Sequence, residues 1–151
     1  MHKRILLSLL LAAMHGPAFS DNGAAGEESV LTIIDAASEN HAGIQLEQFK
    51  WTARPFVVLA ESPSDPRFTE QMSLLRKDPN PLAERDVIVL IDTDPNADSQ
   101  LREKLRPRGF MLVLIGKDGG VKLRKPFPWS VREISRAIDK LPIRQQELRA
   151  R

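Results

Sequence analysis

Three short, mainly apolar runs dominate the pattern of hydrophobic and polar positions along the chain. They are PFVVLA (55–60), DVIVLI (86–91) and FMLVLI (110–115). Continuous runs rich in β-branched residues are typical of strands buried on both faces, so we expect these three at the centre of one sheet. VKLR (121–124) alternates apolar and charged residues and predicts a fourth strand.

Amphipathic stretches separate the first three strands. Asp65-Pro66 provides an N-cap and a proline suited to the first helical position, and the apolar spacing that follows predicts a helix over 66–77. The prolines of DPNPLAE (78–84) would end this helix. LREKLR (101–106), with leucines four apart, predicts a short second helix.

Two local motifs complete the pattern. Asp118-Gly119 predicts a two-residue hairpin turn with positive φ at both central positions, which makes the last two strands antiparallel. Ser130 and Glu133 form a capping-box pattern at the start of a last helix, which Pro142 would stop. The order β-α-β-α-β-β-α predicts an α/β fold, a mixed four-stranded core sheet with helices on both faces.

The first residues are typical of a targeting segment. A short basic start precedes ILLSLLLAA (5–13), which is too short to span a bilayer, and Ala18-Phe19-Ser20 offers small residues at a cleavage site. We therefore predict a signal peptide over 1–20, cleaved after Ser20, and a periplasmic or secreted protein with no membrane association afterwards. A flexible or weakly structured segment over 21–45 and a single domain over 46–149 would follow. VLTIID (30–35) fits either an edge strand or a first helical turn.

Composition excludes several functions. The chain has 22 Lys and Arg against 20 Asp and Glu, and removal of residues 1–20 leaves 20 of each, so the charge does not indicate nucleic-acid binding. Zero cysteines exclude disulfides, a thiolate nucleophile and a dithiol redox pair. Only His41 remains after processing, in a turn-like stretch, which excludes a multi-histidine metal site within one chain. The basic end, IRQQELRAR (143–151), is typical of a solvated tail.

Four segments resemble a known family, the domain-of-unknown-function 4174 family of exported bacterial proteins. They are KWTARPFVVLA, LAERDVIVLID, FMLVLIGKDGGVKLR and IDKLPIRQQELR. The resemblance covers roughly 46–149 and implies a thioredoxin-like fold and an exported location, but no reaction. The chain also looks loosely like thioredoxins, whose redox cysteines would fall in the turn 61–65. That turn has no cysteine here, and Pro107 lies too early to match a thioredoxin's cis-proline.

The carboxyl ends of parallel strands are the usual ligand edge of an open sheet. The residues that we expect near this edge, as an anion or carboxylate site, are Ser62, Ser64, Asp65, Arg67, Asp92, Arg108 and Arg124, with Glu61 and Thr93 beside them. A helix N-terminus with serines and arginines nearby suits such a ligand. The competing interpretation is that Asp65 only caps the helix and the arginines are solvated.

A weaker alternative is a calcium loop over DTDPNADSQLRE (92–103). The residues at the ligand positions of an EF-hand are Asp92, Asp94, Asn96, Asp98, Gln100 and Glu103. Ala97 replaces the glycine of the sharp turn and Pro95 interrupts the loop, so a helix start enriched in acids explains the pattern equally. Arg85-Asp86 should lie at the opposite end of the sheet, where it could form a structural polar cluster with the 117–120 turn.

Two functional hypotheses remain. The first is an exported non-redox module, without a cofactor, that binds a periplasmic protein or a small ligand. The alternative is a hydrolase-type or oxidative-stress-related enzyme at the 61–67 turn, with Ser62 or Ser64 as nucleophile. The alternative lacks an identifiable base, because the one remaining histidine is remote in the sequence.

Overall fold

The computed structural model describes residues 29–41 and 43–151. The predicted signal peptide and the beginning of the 21–45 segment lie outside this range. The sheet has five strands in the order β1-β3-β2-β4-β5. Their bounds are Thr32–Asp35 (β1), Arg54–Leu59 (β2), Val87–Asp92 (β3), Met111–Ile115 (β4) and Val121–Lys125 (β5). The sheet is mixed, because β1 and β2 pair with β3 in parallel, whereas β4 pairs antiparallel with β2 and β5.

The prediction of four strands is corrected to five. The additional strand, β1, takes up the VLTIID run, whose edge-strand alternative is the one observed. Residues 32–35 belong to the segment for which weak structure was predicted, so that expectation does not hold for them. β1 escaped a firm assignment because it is only four residues long, and so short a mainly apolar stretch fits a helical turn as well as an edge strand.

Five α-helices pack around the sheet in the part of the chain that the structure describes. Their bounds are Pro66–Lys77 (α1), Asn80–Ala83 (α2), Gln100–Leu105 (α3), Val131–Asp139 (α4) and Pro142–Arg149 (α5). The predicted helix over 66–77 is confirmed, and the predicted proline break after it contains the single turn α2. Pro142 follows the end of α4 as expected but also begins α5, because proline is well suited to a first helical position. Each described helix is too short or too polar to cross a bilayer.

The residues of β2 alternate between two hydrophobic cores. Phe56 and Val58 face a core that includes residues of α1, α2 and α4. Val57 and Leu59 face a second core with leucines of α3. All four side chains are fully buried, each stabilising the fold by roughly 1.5–3 kcal/mol, which explains the continuous apolar run of this central strand.

Local motifs begin and end the elements. The capping box of α4 is present, with Ser130 Oγ accepting from the Glu133 N–H at 3.2 Å and Glu133 Oε2 accepting from the Ser130 N–H at 2.9 Å. The turn between β4 and β5 differs from the prediction. Gly119 has the predicted positive φ, at 81°, but the φ of Asp118 lies outside the positive range. The N–H of Gly119 donates to the Gly116 carbonyl at 2.9 Å, so Asp118 lies inside this turn and Gly119 follows it in the left-handed conformation.

Candidate functional site

The turn after β2 holds its two serines against each other. Ser62 Oγ lies 2.8 Å from Ser64 Oγ, and the Ser64 N–H donates to Ser62 Oγ at 3.1 Å. Among the residues that the structure describes, neither hydroxyl has a histidine, lysine or carboxylate as hydrogen-bond partner. The serines therefore stabilise a local turn and lack the base that a serine nucleophile needs.

Asp65 caps α1 and pairs with Arg67. The backbone N–H of Arg67 donates to Asp65 Oδ1 at 2.9 Å, and its guanidinium donates to Oδ1 at 3.2 Å and to Oδ2 at 3.0 Å. The side-chain hydrogen bond from Arg67 is the main cause that lowers the pKa of Asp65. The guanidinium also lies over the Phe110 ring, 5.4 Å from its centroid. The start of α1 thus has its own carboxylate where an external anion would bind.

Asp92 belongs to a buried network behind the turn. Its Oδ1 accepts from Arg102 Nε at 2.9 Å and from the Asp94 N–H at 3.0 Å, while Ser99 Oγ donates to Oδ2. Arg102 Nη2 also donates to the carbonyl of Ala60, just after β2. The network joins the ends of β2 and β3 to α3 and engages both oxygens of Asp92, which gives this residue a structural role.

The other two predicted arginines do not join the turn. Arg124 donates from Nη1 to the carbonyl of Leu105 at 2.8 Å, at the end of α3. Arg108 is exposed, and no hydrogen bond or ion pair to it is seen within residues 29–41 and 43–151. The structure therefore brings together Ser62 with Ser64 and Asp65 with Arg67, but not the whole predicted set.

The acids of the predicted calcium loop serve the turn that begins α3. Asp94 accepts from the Asn96 N–H at 2.9 Å, and Asp98 has a left-handed φ of 50°. The described part of the chain has no group of three or more histidine, aspartate or glutamate side chains that could hold a metal ion. His41 lies in its own turn, with Nδ1 2.9 Å from Ser38 Oγ. The loop and the histidine thus add no ligand set to the edge.

At the opposite end of the sheet, the first residue of β2 is a buried arginine that the sequence analysis did not single out. Arg54 is 1% exposed and donates from Nη1 to the Arg85 carbonyl at 2.8 Å and from Nη2 to Glu147 Oε1 at 2.9 Å. Its Nε has no acceptor among the described residues. A buried guanidinium requires a carboxylate partner, and Glu147 of α5 provides it.

Glu147 is the centre of this second cluster. Lys117 Nζ lies 2.9 Å from its Oε1 and 2.7 Å from Asp86 Oδ2, and Arg144 donates to Oε2 at 3.2 Å. Burial alone would raise the pKa of Glu147, but the hydrogen bonds from Lys117, Arg54 and Arg144 together lower it from 4.5 to about 2. The predicted polar cluster between Arg85-Asp86 and the 117–120 turn is confirmed by the Lys117–Asp86 pair.

The C-terminal residues are not wholly the solvated tail that was expected, because they form α5 and bury Arg144, although most of the others are exposed. Arg144 is buried, and its Nε lies 3.6 Å from Asp139 Oδ1. The Asp139 carboxylate also accepts two hydrogen bonds from the Arg85 guanidinium, at 2.8 and 2.7 Å. The sequence did contain a signal for this packing, since Arg144 and Glu147 are three apart and so share one helix face. A second signal for a buried charge was Arg54, which stands directly before the apolar run PFVVLA.

Two cavities lie at this end of the sheet. The first, which we name the Arg54 pocket, is lined by Arg54, Lys117, Asp118, Lys122, Leu141 and Ile143, and offers about 80 Å³ to the centres of water molecules. A single water needs roughly 10–15 Å³ on this measure, so the pocket has room for a small molecule. The second is more open, about 450 Å³, and lies between Pro81 and Arg85 on one side and α4 on the other.

Comparisons with known proteins agree with the fold. The family described as "Domain of unknown function (DUF4174)" matches residues 45–147. The chain belongs to the DUF4174 family. A search of curated proteins found no match.

Two solved structures share the fold of this DUF4174 chain. A reduced 2-Cys peroxiredoxin of Plasmodium vivax aligns at 17% identity with a TM-score of 0.54, over 70% of this chain and 85% of its own. A chloroplastic thioredoxin z aligns at 18% identity with a TM-score of 0.53, over 74% of this chain and 93% of its own. The thioredoxin-like α/β fold is therefore established, with five strands, and these identities extend to nothing beyond the fold.

Proposed function

We propose that this DUF4174 protein is an exported, non-redox thioredoxin-like module that binds a small ligand or a partner protein. The observation that carries the proposal is the turn over residues 61–67, where the serines pair with each other and Asp65 pairs with Arg67. A nucleophilic enzyme would need a base within hydrogen-bond reach of Ser62 or Ser64. The absence of cysteine removes the dithiol chemistry of this fold's redox members.

A small ligand is the better supported kind of partner. The Arg54 pocket is a concave site with charged groups on one side and Leu141 and Ile143 on the other. Small-molecule sites commonly combine apolar walls with a few fixed polar groups. The pocket lies at the amino end of β2, away from the edge that thioredoxin-like enzymes use, so binding there needs no chemistry at the 61–67 turn.

Export rests on the sequence pattern of residues 1–20. A basic start, a short apolar run and small residues at Ala18 and Ser20 support cleavage after Ser20. Intact-mass measurement of the protein from a periplasmic fraction should give a chain that begins at Asp21. Recovery of the full-length chain in the cytoplasm would contradict export.

Binding is tested by native mass spectrometry. The mature chain is incubated with the small-molecule fraction of a periplasmic extract, and separately with its proteins after mild cross-linking. We expect a reproducible adduct with at least one of the two fractions. No adduct with either fraction would contradict a binding function.

The enzyme alternative is tested on the same preparation. A fluorophosphonate probe labels serines that are activated as nucleophiles, and we expect no labelling of this chain. Labelling that disappears in S62A or S64A would overturn the non-catalytic assignment.

A further inference from the structure

Arg54, one of the residues that line the pocket, has a buried side-chain hydrogen-bond donor without a protein acceptor among the described residues. The Arg54 side chain is 1% exposed and two of its nitrogens are used by the Arg85 carbonyl and Glu147, but Nε has no partner among the described residues. An unpaired buried donor destabilises the fold, and more so when the group is charged. A ligand oxygen that reached Nε would remove this cost.

A helix also presents its amino end to the pocket. Leu141, Pro142 and Ile143 line it, and α5 begins at Pro142 without a side-chain cap. The N–H groups of the first helical turn have no intrahelical acceptor, and the helix dipole adds partial positive charge there. Unlike α1, whose cap is Asp65, α5 has neither an acidic cap nor an acidic residue within its own first turn.

The charges around the pocket leave one positive charge in excess. The cluster has four cations, Arg54, Arg85, Lys117 and Arg144, against three carboxylates, Asp86, Asp139 and Glu147. Among the described residues, the one carboxylate that lines the pocket is Asp118, which pairs with Lys122 at 2.7 Å and also accepts from the Gly120 N–H at 3.0 Å. A single negative charge is therefore the complement of the site.

We propose that the Arg54 pocket binds a small organic monocarboxylate, whose carboxylate faces Arg54 Nε and the start of α5. The apolar side chains of Leu141 and Ile143 favour a ligand with a short hydrocarbon tail over an inorganic oxyanion. This inference rests on the proposed binding function and names the class of ligand for it.

The test is a titration of the mature chain with butyrate at pH 7, compared at equal ionic strength with butyramide and with inorganic phosphate. The readout is the ¹H–¹⁵N signal of Arg54 Nε, together with titration calorimetry. We expect butyrate to shift the Arg54 signal and to bind at least tenfold more tightly than butyramide, which lacks the charge. Equal binding of the two, or stronger binding of phosphate, would overturn the proposal.

Two variants locate the binding site. Ile143→Trp fills the pocket and should weaken butyrate binding at least tenfold, whereas Leu148→Trp on the exposed side of the same helix should leave it unchanged. Arg54→Lys keeps the charge but lacks Nε and should also weaken binding, with circular dichroism confirming that it folds. Unchanged affinity in Ile143→Trp would show that butyrate binds elsewhere and would overturn the proposal.

The titration separates this inference from the proposed function. If carboxylates fail to bind but native mass spectrometry finds another ligand or a partner protein, only the monocarboxylate assignment is wrong. If both experiments find nothing, the binding function itself is contradicted.

Discussion

In the 61–67 turn, at the carboxyl end of the central strands, polar side chains pair with neighbours in the sequence, whereas at the amino end they pair across the whole fold. Ser62 with Ser64 and Asp65 with Arg67 are two residues apart. Arg54 and Glu147 are 93 residues apart, and Arg85 and Asp139 are 54 apart. The local pairs are explained by turn and helix initiation alone. The distant pairs require the complete fold and bury an arginine, which makes the amino end the better candidate for a site.

The Asp92–Arg102 ion pair tests whether the stability that a pair contributes depends on its separation in the sequence or on its burial. Its partner Arg102 is only ten residues away, but the two side chains are 0% and 10% exposed. Asp92→Ala should lower the free energy of unfolding by about 3–5 kcal/mol, because it leaves a buried guanidinium without its carboxylate. Urea denaturation measures this loss. Glu103→Ala, at an exposed position on α3, is the control and should change the free energy of unfolding little. Equal losses in the two variants would show that burial does not determine the contribution of these carboxylates to stability.

Glu147 tests the long-range cluster through its pH dependence. Its pKa falls from 4.5 to about 2 on folding, so its ionised form stabilises the protein fully above pH 4.5, and this contribution is lost as the pH falls towards 2. Glu147→Gln should cost about 2 kcal/mol at pH 7, allowing for partial solvent screening, and should flatten stability over that pH window. Glu70→Gln, exposed on α1, is the control and should retain the wild-type slope.

Gly119 tests how strictly the β4–β5 turn is specified. Its φ of 81° is a left-handed conformation that disfavours a side chain, whereas the contact of a Cβ with Lys50 Cε at 2.5 Å involves only the flexible end of that lysine and adds little. Gly119→Ala should therefore cost about 1–2 kcal/mol in thermal or urea unfolding. Gly120→Ala is the matched control, since its φ lies outside the positive range and its Cβ would meet Asp118 at an ordinary 3.4 Å. A smaller loss at 119 than at 120 would contradict this description of the turn.

The smallest effect is expected at the turn where a thioredoxin would have its cysteines. The double variant S62A/S64A should change the free energy of unfolding by no more than about 0.5 kcal/mol, because each hydroxyl bonds only within the turn. Chemical denaturation of the double variant beside the wild type checks this. A loss of more than about 1 kcal/mol in the free energy of unfolding would show that the serine hydroxyls stabilise more than the local turn. The contrast between local pairs at this turn and distant pairs at the amino end would then be weaker.

The central strands and the long helix could be predicted because their signals are local. PFVVLA marks a strand buried on both faces, and Asp65-Pro66 marks the start of α1. β1 gave a weaker signal because it is only four residues long, and a short apolar stretch does not distinguish an edge strand from a helical turn. The topology also predicted that Asp86 would meet the 117–120 turn, since parallel strands and a hairpin define which ends of the sheet coincide.

The Arg54 pocket could not be predicted by the same means. The basic composition of 143–151 resembles a solvated tail, and only tertiary packing shows that Arg144 is buried and that Glu147 reaches Arg54. At the opposite edge, the expected site residues follow the strands in the sequence, but Asp92 is enclosed by Arg102 and Ser99. The sequence indicates that these residues follow the ends of the strands, but it does not show which of them face solvent.

The Arg54–Glu147 pair also has a kinetic consequence. A contact between residues 93 apart closes a long loop, and closing that loop costs chain entropy. We therefore expect the contact to form late in folding, after the central strands have paired. Interactions that are absent from the folding transition state slow unfolding without speeding folding. Glu147 would then act mainly on the lifetime of the folded molecule: in stopped-flow experiments its loss should leave the refolding rate nearly unchanged and shorten the time that each molecule resists a protease.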